Sequence, residues 1–178
     1  MRETFLHKFW HQIKERFYLT KPQIRVLVVD DYEPWRRFAR STLEKQSELE
    51  IIGEVSDGLK AVQQAEQVQP DLILLDIGLP TINGIEAAKR IRECAPQSKI
   101  LFVSENRSPD MVQEALSNGA GGYVVKSDAA GELLPAIKAV LAGKRFVSAS
   151  LAGHFLVATT LTTQTIHLSW ILALLSGL

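Results

Sequence analysis

The sequence predicts an α/β fold, a doubly wound, five-stranded parallel sheet held between two helical layers as a three-layer sandwich. Three observations predict it. Short, mostly β-branched runs alternate with segments of helical periodicity from residue 24 to about residue 143. The runs are apolar at successive positions rather than at every second one, as in strands covered on both faces. Polar or glycine-containing joints punctuate the changeovers.

The elements follow in order. "IRVLVV" (24–29) is the first strand, and Trp35, Phe38, Ala39 and Leu43 then recur on one helical face. "IIGEV" (51–55) is the second, and "SDG" at 56–58 leads into a helix carrying Leu59, Val62 and Ala65. "LILL" (72–75) is the third, followed by the stripe Ile85, Ala88 and Ile91 and the joint "APQS" at 95–98. "KILFV" (99–103) is the fourth, followed by Val112, Ala115 and Leu116 and the joint "SNGAGG" at 117–122. "GYVV" (122–125) is the fifth, and Leu133, Leu134, Ile137 and Leu141 form the last helix before "AGK" at 142–144. Strand, helix and strand repeated in this way require right-handed crossovers.

Two regions flank this unit, which the sequence bounds at residues 24–145. Residues 1–23 read as an amphipathic helical extension in which Phe5, Phe9, Ile13 and Phe17 recur every four residues on a locally basic segment. Its plainest role is to pack on its own domain or on a second copy; a membrane surface or a partner groove is the alternative. Residues 146–178 form a Thr-rich, apolar tail without Asp, Glu, Lys or Arg.

Composition excludes several classes. Twenty basic side chains balance twenty acidic ones, so no global field favours nucleic acid or an anionic membrane. The single cysteine, Cys94, rules out an internal disulfide and fits a reducing cytoplasm, the expected location. The first residues lack the uninterrupted apolar stretch of a secretory signal. "LSWILALLSGL" has about half the length needed to span a bilayer, so no transmembrane segment is expected.

In an open parallel sheet, ligands bind beyond the carboxyl ends of the strands. There the first strand ends in Asp30 and Asp31, the third in Asp76, the fourth in Ser104 and the fifth in Lys126. Singly, each has a plain alternative. Asp30 and Asp31 suit a helix cap, Asp76 a turn, Ser104 a loop and Lys126 a solvated surface. Together, three carboxylates repel unless a cation neutralises them, and Mg²⁺ with oxygen ligands is the natural one. A lysine and a hydroxyl beside them suit phosphate oxygens, and a carboxylate nucleophile can accept a phosphoryl group.

"VLVVDD", "LLDIGLP", "NG" at 83–84, "FVS" at 102–104 and "GYVVKS" at 122–127 resemble the receiver domain of two-component response regulators. Within that family, "GLPTINGIEAAKRIR" and "ELLPAIKAVLAGKRFVS" are most similar to regulators with a C-terminal helix-turn-helix. The resemblance implies a flavodoxin-like strand order, 2-1-3-4-5. It implies Asp76 as the phosphoacceptor, with Asp31 on Mg²⁺ directly, Asp30 by way of water, and the Gly78 carbonyl completing the protein ligands. Lys126 would pair with the phosphoryl group, and Ser104 would hydrogen-bond to it and draw its loop inward. Tyr123 would be the aromatic that reports this movement, with a half-buried strand aromatic as its plain alternative. Asn106 and Gly78 would tune the approach of water.

Two departures stand out. Glu105 follows Ser104 where the family often has a small residue, and its charge would slow phosphorylation or loop closure. After residue 145 there is too little chain, and no basic side chain, for a helix-turn-helix, which argues against DNA binding by this chain alone. The tail reads as the remnant of a truncated transcriptional regulator, with a docking segment or part of a dimer interface as alternatives.

The expected function is a phosphorylation-controlled switch. It takes phosphate from a sensor histidine kinase or a phosphotransfer protein and loses it by hydrolysis, a self-modifying acceptor rather than a turnover enzyme. The rival is a receiver-like interaction module that is never phosphorylated. An aspartyl phosphatase would want a second acid two residues after its nucleophile, where Gly78 stands.

Overall fold

The computed structural model describes residues 23–151. The amphipathic extension, and the tail beyond Leu151, lie outside the described residues. Strands β1 (Ile24–Val29), β2 (Leu49–Val55), β3 (Leu72–Leu75), β4 (Lys99–Ser104) and β5 (Gly122–Val125) alternate with helices. These are α1 (Glu33–Leu43), α2 (Gly58–Val68), α3 (Gly84–Cys94), α4 (Pro109–Ser117) and α5 (Ala129–Leu141), the last entered through a 3₁₀ turn at Lys126–Asp128.

Every strand pairing is parallel, and the strand order is β2-β1-β3-β4-β5 with a sixth strand beyond it. The expected five-stranded sheet is therefore corrected to six: β6 (Phe146–Val147) runs beside β5, with Gly122 opposite Phe146 and Tyr123 opposite Val147. Gly122 permits the approach, since a Cβ there would stand 2.8 Å from the Phe146 carbonyl oxygen. The packed unit runs on to Leu151, which is buried in the core, so the residues just past 145 belong with the sheet. Ser148 fixes the junction: its N–H donates to the Tyr123 carbonyl and its hydroxyl accepts from Val125 N–H, both at 2.9 Å.

The strands divide their side chains between two cores. Leu27, Val29, Ile73 and Leu75 face α2, α3 and α4, packing on Ala61, Ala65, Ile85, Ala88, Ile91 and Ala115. Val26, Val28, Leu72 and Leu74 face α1 and α5, packing on Trp35, Ala39, Leu43, Leu133 and Ile137. Burial on both faces explains why these strands read as unbroken apolar runs.

Local chemistry starts the helices that matter for the rim. Asp57 caps α2 by accepting from Lys60 N–H, and Asn83 caps α3 by accepting from Glu86 N–H, each at 2.9 Å. α1 differs. Its N-cap is Tyr32, with no side-chain cap, and Pro34 in the first turn needs no N–H partner. Asp30 and Asp31 are thus not helix caps, and both are left to the rim.

Ser148→Ala strands the Val125 N–H in the core. An unsatisfied buried donor costs about 1–3 kcal/mol, so the variant should unfold at lower urea with an unchanged m-value. A midpoint equal to the parent's would show that the Ser148 hydroxyl contributes nothing to stability.

Candidate functional site

The rim is assembled by backbone bonds before any side chain acts. Asp30 N–H donates to the Val55 carbonyl and Asp76 N–H to the Val29 carbonyl, each at 2.9 Å. The three strand ends β2, β1 and β3 are thereby tied in a row. The register of β3 with β4 and of β4 with β5 brings Ser104 and Lys126 to the same edge.

Asp76 sits in a rigid mount. Its Oδ1 accepts from Ile77 N–H at 2.7 Å, and the carboxylate is buried. The start of α3 packs beneath it so closely that a Cβ on Gly84 would lie 1.9 Å from the Asp76 carbonyl oxygen. The loop from Asp76 to Asn83 is pinned from α2, where Gly58 N–H donates to the Pro80 carbonyl at 3.2 Å. Thr81 adopts φ +67, a conformation that disfavours β-branched residues, and its hydroxyl donates to Asp57 Oδ2. That bond holds the turn in place, and it also pulls the Asp57 carboxyl below its ordinary pKa.

Lys126 closes the centre. Its ammonium lies 2.6 Å from Asp30 Oδ2 and 3.1 Å from Asp76 Oδ2, with only 7% of the side chain exposed. Burial works against the charged ammonium, and the two carboxylates outweigh it, so the Lys126 pKa is raised. Burial also pushes the Asp30 carboxyl up, against the opposing pull of Lys126. Asp30 Oδ1 accepts from Tyr32 N–H at 2.9 Å, while among the described residues Oδ2 is paired with the ammonium and has no well-directed hydrogen bond.

One oxygen from each of Asp30, Asp31 and Asp76 lies within 4.8 Å of the other two, Asp31 being exposed and the others buried. At 4.8 Å and an effective dielectric of about 20, each ionised pair repels by about 3.5 kcal/mol, and by more at shorter range. One ammonium cannot offset three carboxylates. An all-oxygen site, two buried acids and an open third that can share water suit a hard divalent cation such as Mg²⁺. Gly78 adjoins this cluster, since a Cβ on it would stand 3.5 Å from Asp76 Oδ2. When bound, such an ion would neutralise the acids and leave coordination positions open to further oxygen ligands.

The second half of the rim is a loop. Ser104 is buried at the end of β4, and its hydroxyl accepts a long, weak bond from Asn106 N–H at 3.4 Å. Asn106 Oδ1 accepts from Ser108 N–H at 2.8 Å, which shapes the turn into α4. Glu105 points to solvent and forms no ion pair among the described residues. Tyr123 is fully buried rather than half-buried, and its hydroxyl donates to the Asn106 carbonyl at 2.7 Å.

Sequence reasoning missed two participants. Trp35 was one member of an apolar helical stripe, yet its ring lies beneath the Lys126 ammonium, 5.5 Å from centroid to Nζ. Arg36, next to it, donates from Nη1 to the Asp30 carbonyl at 2.6 Å. Helical periodicity was the available signal, and it reported only the packing face.

A flavodoxin-like α/β sandwich with an acidic pocket and a lysine at the strand carboxyl ends defines the class. The response regulator receiver domain family model matches residues 26–138, and the chain belongs to that family. It is 36% identical over 133 residues to the transcriptional regulatory protein LiaR of Bacillus subtilis, covering 75% of this chain and 63% of that protein. Against DegU of Brevibacillus brevis the identity is 32%, covering 70% of this chain and 53% of the relative. The chain therefore spans little more than half the length of these relatives. A LuxR-family response regulator from Aurantimonas superposes with a TM-score of 0.70 at 32% identity, covering 74% of this chain and 94% of that one. The response regulator domain of Thermotoga maritima CheB gives 0.62 at 34% identity, covering 67% and 96%.

Burial pushes the Tyr123 phenol up to about 12, against a smaller opposing pull from Ser104. Between the ordinary value of about 10 and that value, the unfolded chain releases this proton and the folded chain keeps it. The stabilisation is complete below the lower value and is lost as the pH rises through the upper one, about 2–3 kcal/mol in all. Subtracting the ultraviolet titration of Tyr123→Phe from that of the parent should isolate one tyrosine ionising near pH 12. A difference curve centred on the ordinary phenol value would contradict the buried hydroxyl.

Proposed function

We propose that this receiver domain is a phosphorylation-controlled switch in which Asp76 accepts a phosphoryl group. The observation that carries the reading is the buried Asp76 carboxylate, in contact with Lys126 and clustered with Asp30 and Asp31. The donor is a phosphohistidine on a sensor histidine kinase or a phosphotransfer protein. A carboxylate oxygen of Asp76 attacks phosphorus, the P–N bond breaks, and its electron pair leaves with the imidazole nitrogen, which takes a proton from solvent. Water later attacks the same phosphorus, the acyl P–O bond breaks, and the carboxylate and inorganic phosphate are restored.

The residues divide the work. Asp30, Asp31, Asp76 and the Gly78 carbonyl would hold Mg²⁺. Lys126 would turn from the carboxylates to a phosphoryl oxygen, and Ser104 would donate to another. Drawing Ser104 inward moves the Asn106 carbonyl, to which Tyr123 is bonded, so occupancy of the rim reaches the β4–α4 loop and β5. Gly78 and Asn106 would set the access of water, and positioning with charge neutralisation does most of the chemistry. We place the domain in the cytoplasm with its kinase. A homodimer, or a transcriptional output of the kind that the relatives' names describe, would lie downstream of this switch.

Glu105 supports the rival reading of a receiver-like interaction module. Its exposure leaves its charge to be screened by water and salt, so it should retard phosphorylation rather than prevent it. Incubation with Mg²⁺ and acetyl phosphate should add the mass of one phosphoryl group to the intact protein and none to Asp76→Asn. No adduct with this donor or with a cognate kinase would leave the interaction module as the function.

A further inference from the structure

Trp35 occupies a core position that any large apolar side chain could fill. It is 8% exposed and belongs to the same buried cluster as Val26, Val28, Ala129 and Leu133, on the stripe that also carries Ala39 and Leu43. What a Leu or Ile could not supply is an aromatic face. That face lies under the Lys126 ammonium at 5.5 Å, while Asp30 and Asp76 hold the ammonium from the strand ends at 2.6 and 3.1 Å. The indole N–H is buried and meets no hydrogen-bond partner among the described residues. A buried indole usually satisfies its N–H, and here the ring is aligned to the cation instead.

We propose that Trp35 is a positioning residue for Lys126, a cation–π anchor that keeps the ammonium aimed at Asp76 while its anionic partners change. The proposal rests on the reading of Asp76 as acceptor. In the resting site the ammonium has two carboxylate partners, Asp76 through a hydrogen bond and Asp30 through a close charge contact. A phosphoryl group on Asp76 replaces one of them with an oxygen farther out, and the ammonium must swing to meet it. A hydrogen bond would resist that swing, because it weakens steeply with angle. The indole face resists it little, since the quadrupole attracts a cation over a broad patch of ring. Lys126 thus keeps one partner through the whole transfer and is not released into solvent between the two.

Fluorination tests this without altering shape. Tryptophan carrying one, two and three ring fluorines, inserted only at position 35 of the full chain, drains charge from the face and leaves the packing nearly intact. The rate constant for phosphorylation by acetyl phosphate should fall at each step, by about threefold to thirtyfold across the series. Trp35→Phe, which keeps a face, should stay closer to the parent than Trp35→Leu, which keeps only apolar bulk. A second measurement uses no phosphoryl donor: the NMR order parameter of the Lys126 ammonium should fall along the same series. A flat rate series with an unchanged order parameter, or equal losses in the Phe and Leu variants, would overturn the proposal. If the unmodified protein takes no phosphate, the acceptor reading fails by itself, and the order parameter still decides whether Trp35 anchors Lys126.

Discussion

The buried triangle of the Lys126 ammonium with the Asp30 and Asp76 carboxylates is the constraint on which the site depends. Each group would be costly to bury alone, and each is more than nine-tenths withdrawn from water. Their positions in the chain are far apart, so only the finished sheet brings them together. Asp30 and Asp76 follow adjacent strands, and the Asp76 N–H is bonded to the Val29 carbonyl, so their separation is fixed by β-sheet spacing. Lys126 leaves β5, two strands further along, and its long side chain crosses the end of β4 to reach them. Its single positive charge offsets one of these carboxylates and leaves the other, with Asp31 beside it, unneutralised. That surplus negative charge suits the rim to a hard divalent cation.

Around that triangle the structure separates a fixed half from a yielding half. The fixed half is the loop after Asp76. It is clamped by Gly84 against the Asp76 carbonyl, by Gly58 under Pro80 and by the Thr81 hydroxyl on Asp57. The yielding half is the loop after Ser104, which meets Ser104 through one weak bond, leaves Glu105 in solvent and is otherwise tied to β5 and the turn after it, by Tyr123 on the Asn106 carbonyl and Arg107 on Ser127. A nucleophile benefits from the first arrangement, because misplacement by an ångström costs rate. A reporter requires the second, because a loop that cannot move has nothing to transmit.

Much of this was legible in the sequence, for a physical reason. Strands β1, β3 and β5 were bounded correctly because doubly covered strands must be apolar throughout, and the polar rim residues mark where cover ends. β2 begins at Leu49, two residues earlier than its apolar run suggests, because Glu50 interrupts the pattern on an edge strand open to water. β6 was invisible: two residues carry no periodicity, and the features that hold it, an absent Cβ on Gly122 and the Ser148 hydroxyl, are contacts at long range. The same limit hid the Thr81 clamp. Trp35 was hidden differently, since a residue that serves both the core and the rim shows only its core periodicity.

The sixth strand gives the rim a second outlet. Ser148 N–H is bonded to the Tyr123 carbonyl, its hydroxyl to Val125 N–H, and Leu151 lies in the same core as the Tyr123 ring. Asp128, at the turn directly after Lys126, accepts from the hydroxyls of Ser127 and Ser150, and Glu132 accepts from Ala149 N–H at 3.1 Å. The segment 146–151 is therefore bonded to the strand that carries Tyr123 and to the turn that carries Lys126. A displacement of β5 or of that turn either moves this segment with it or breaks these bonds. The chain thus leaves the described fold at Leu151 beside the elements that carry Lys126 and Tyr123.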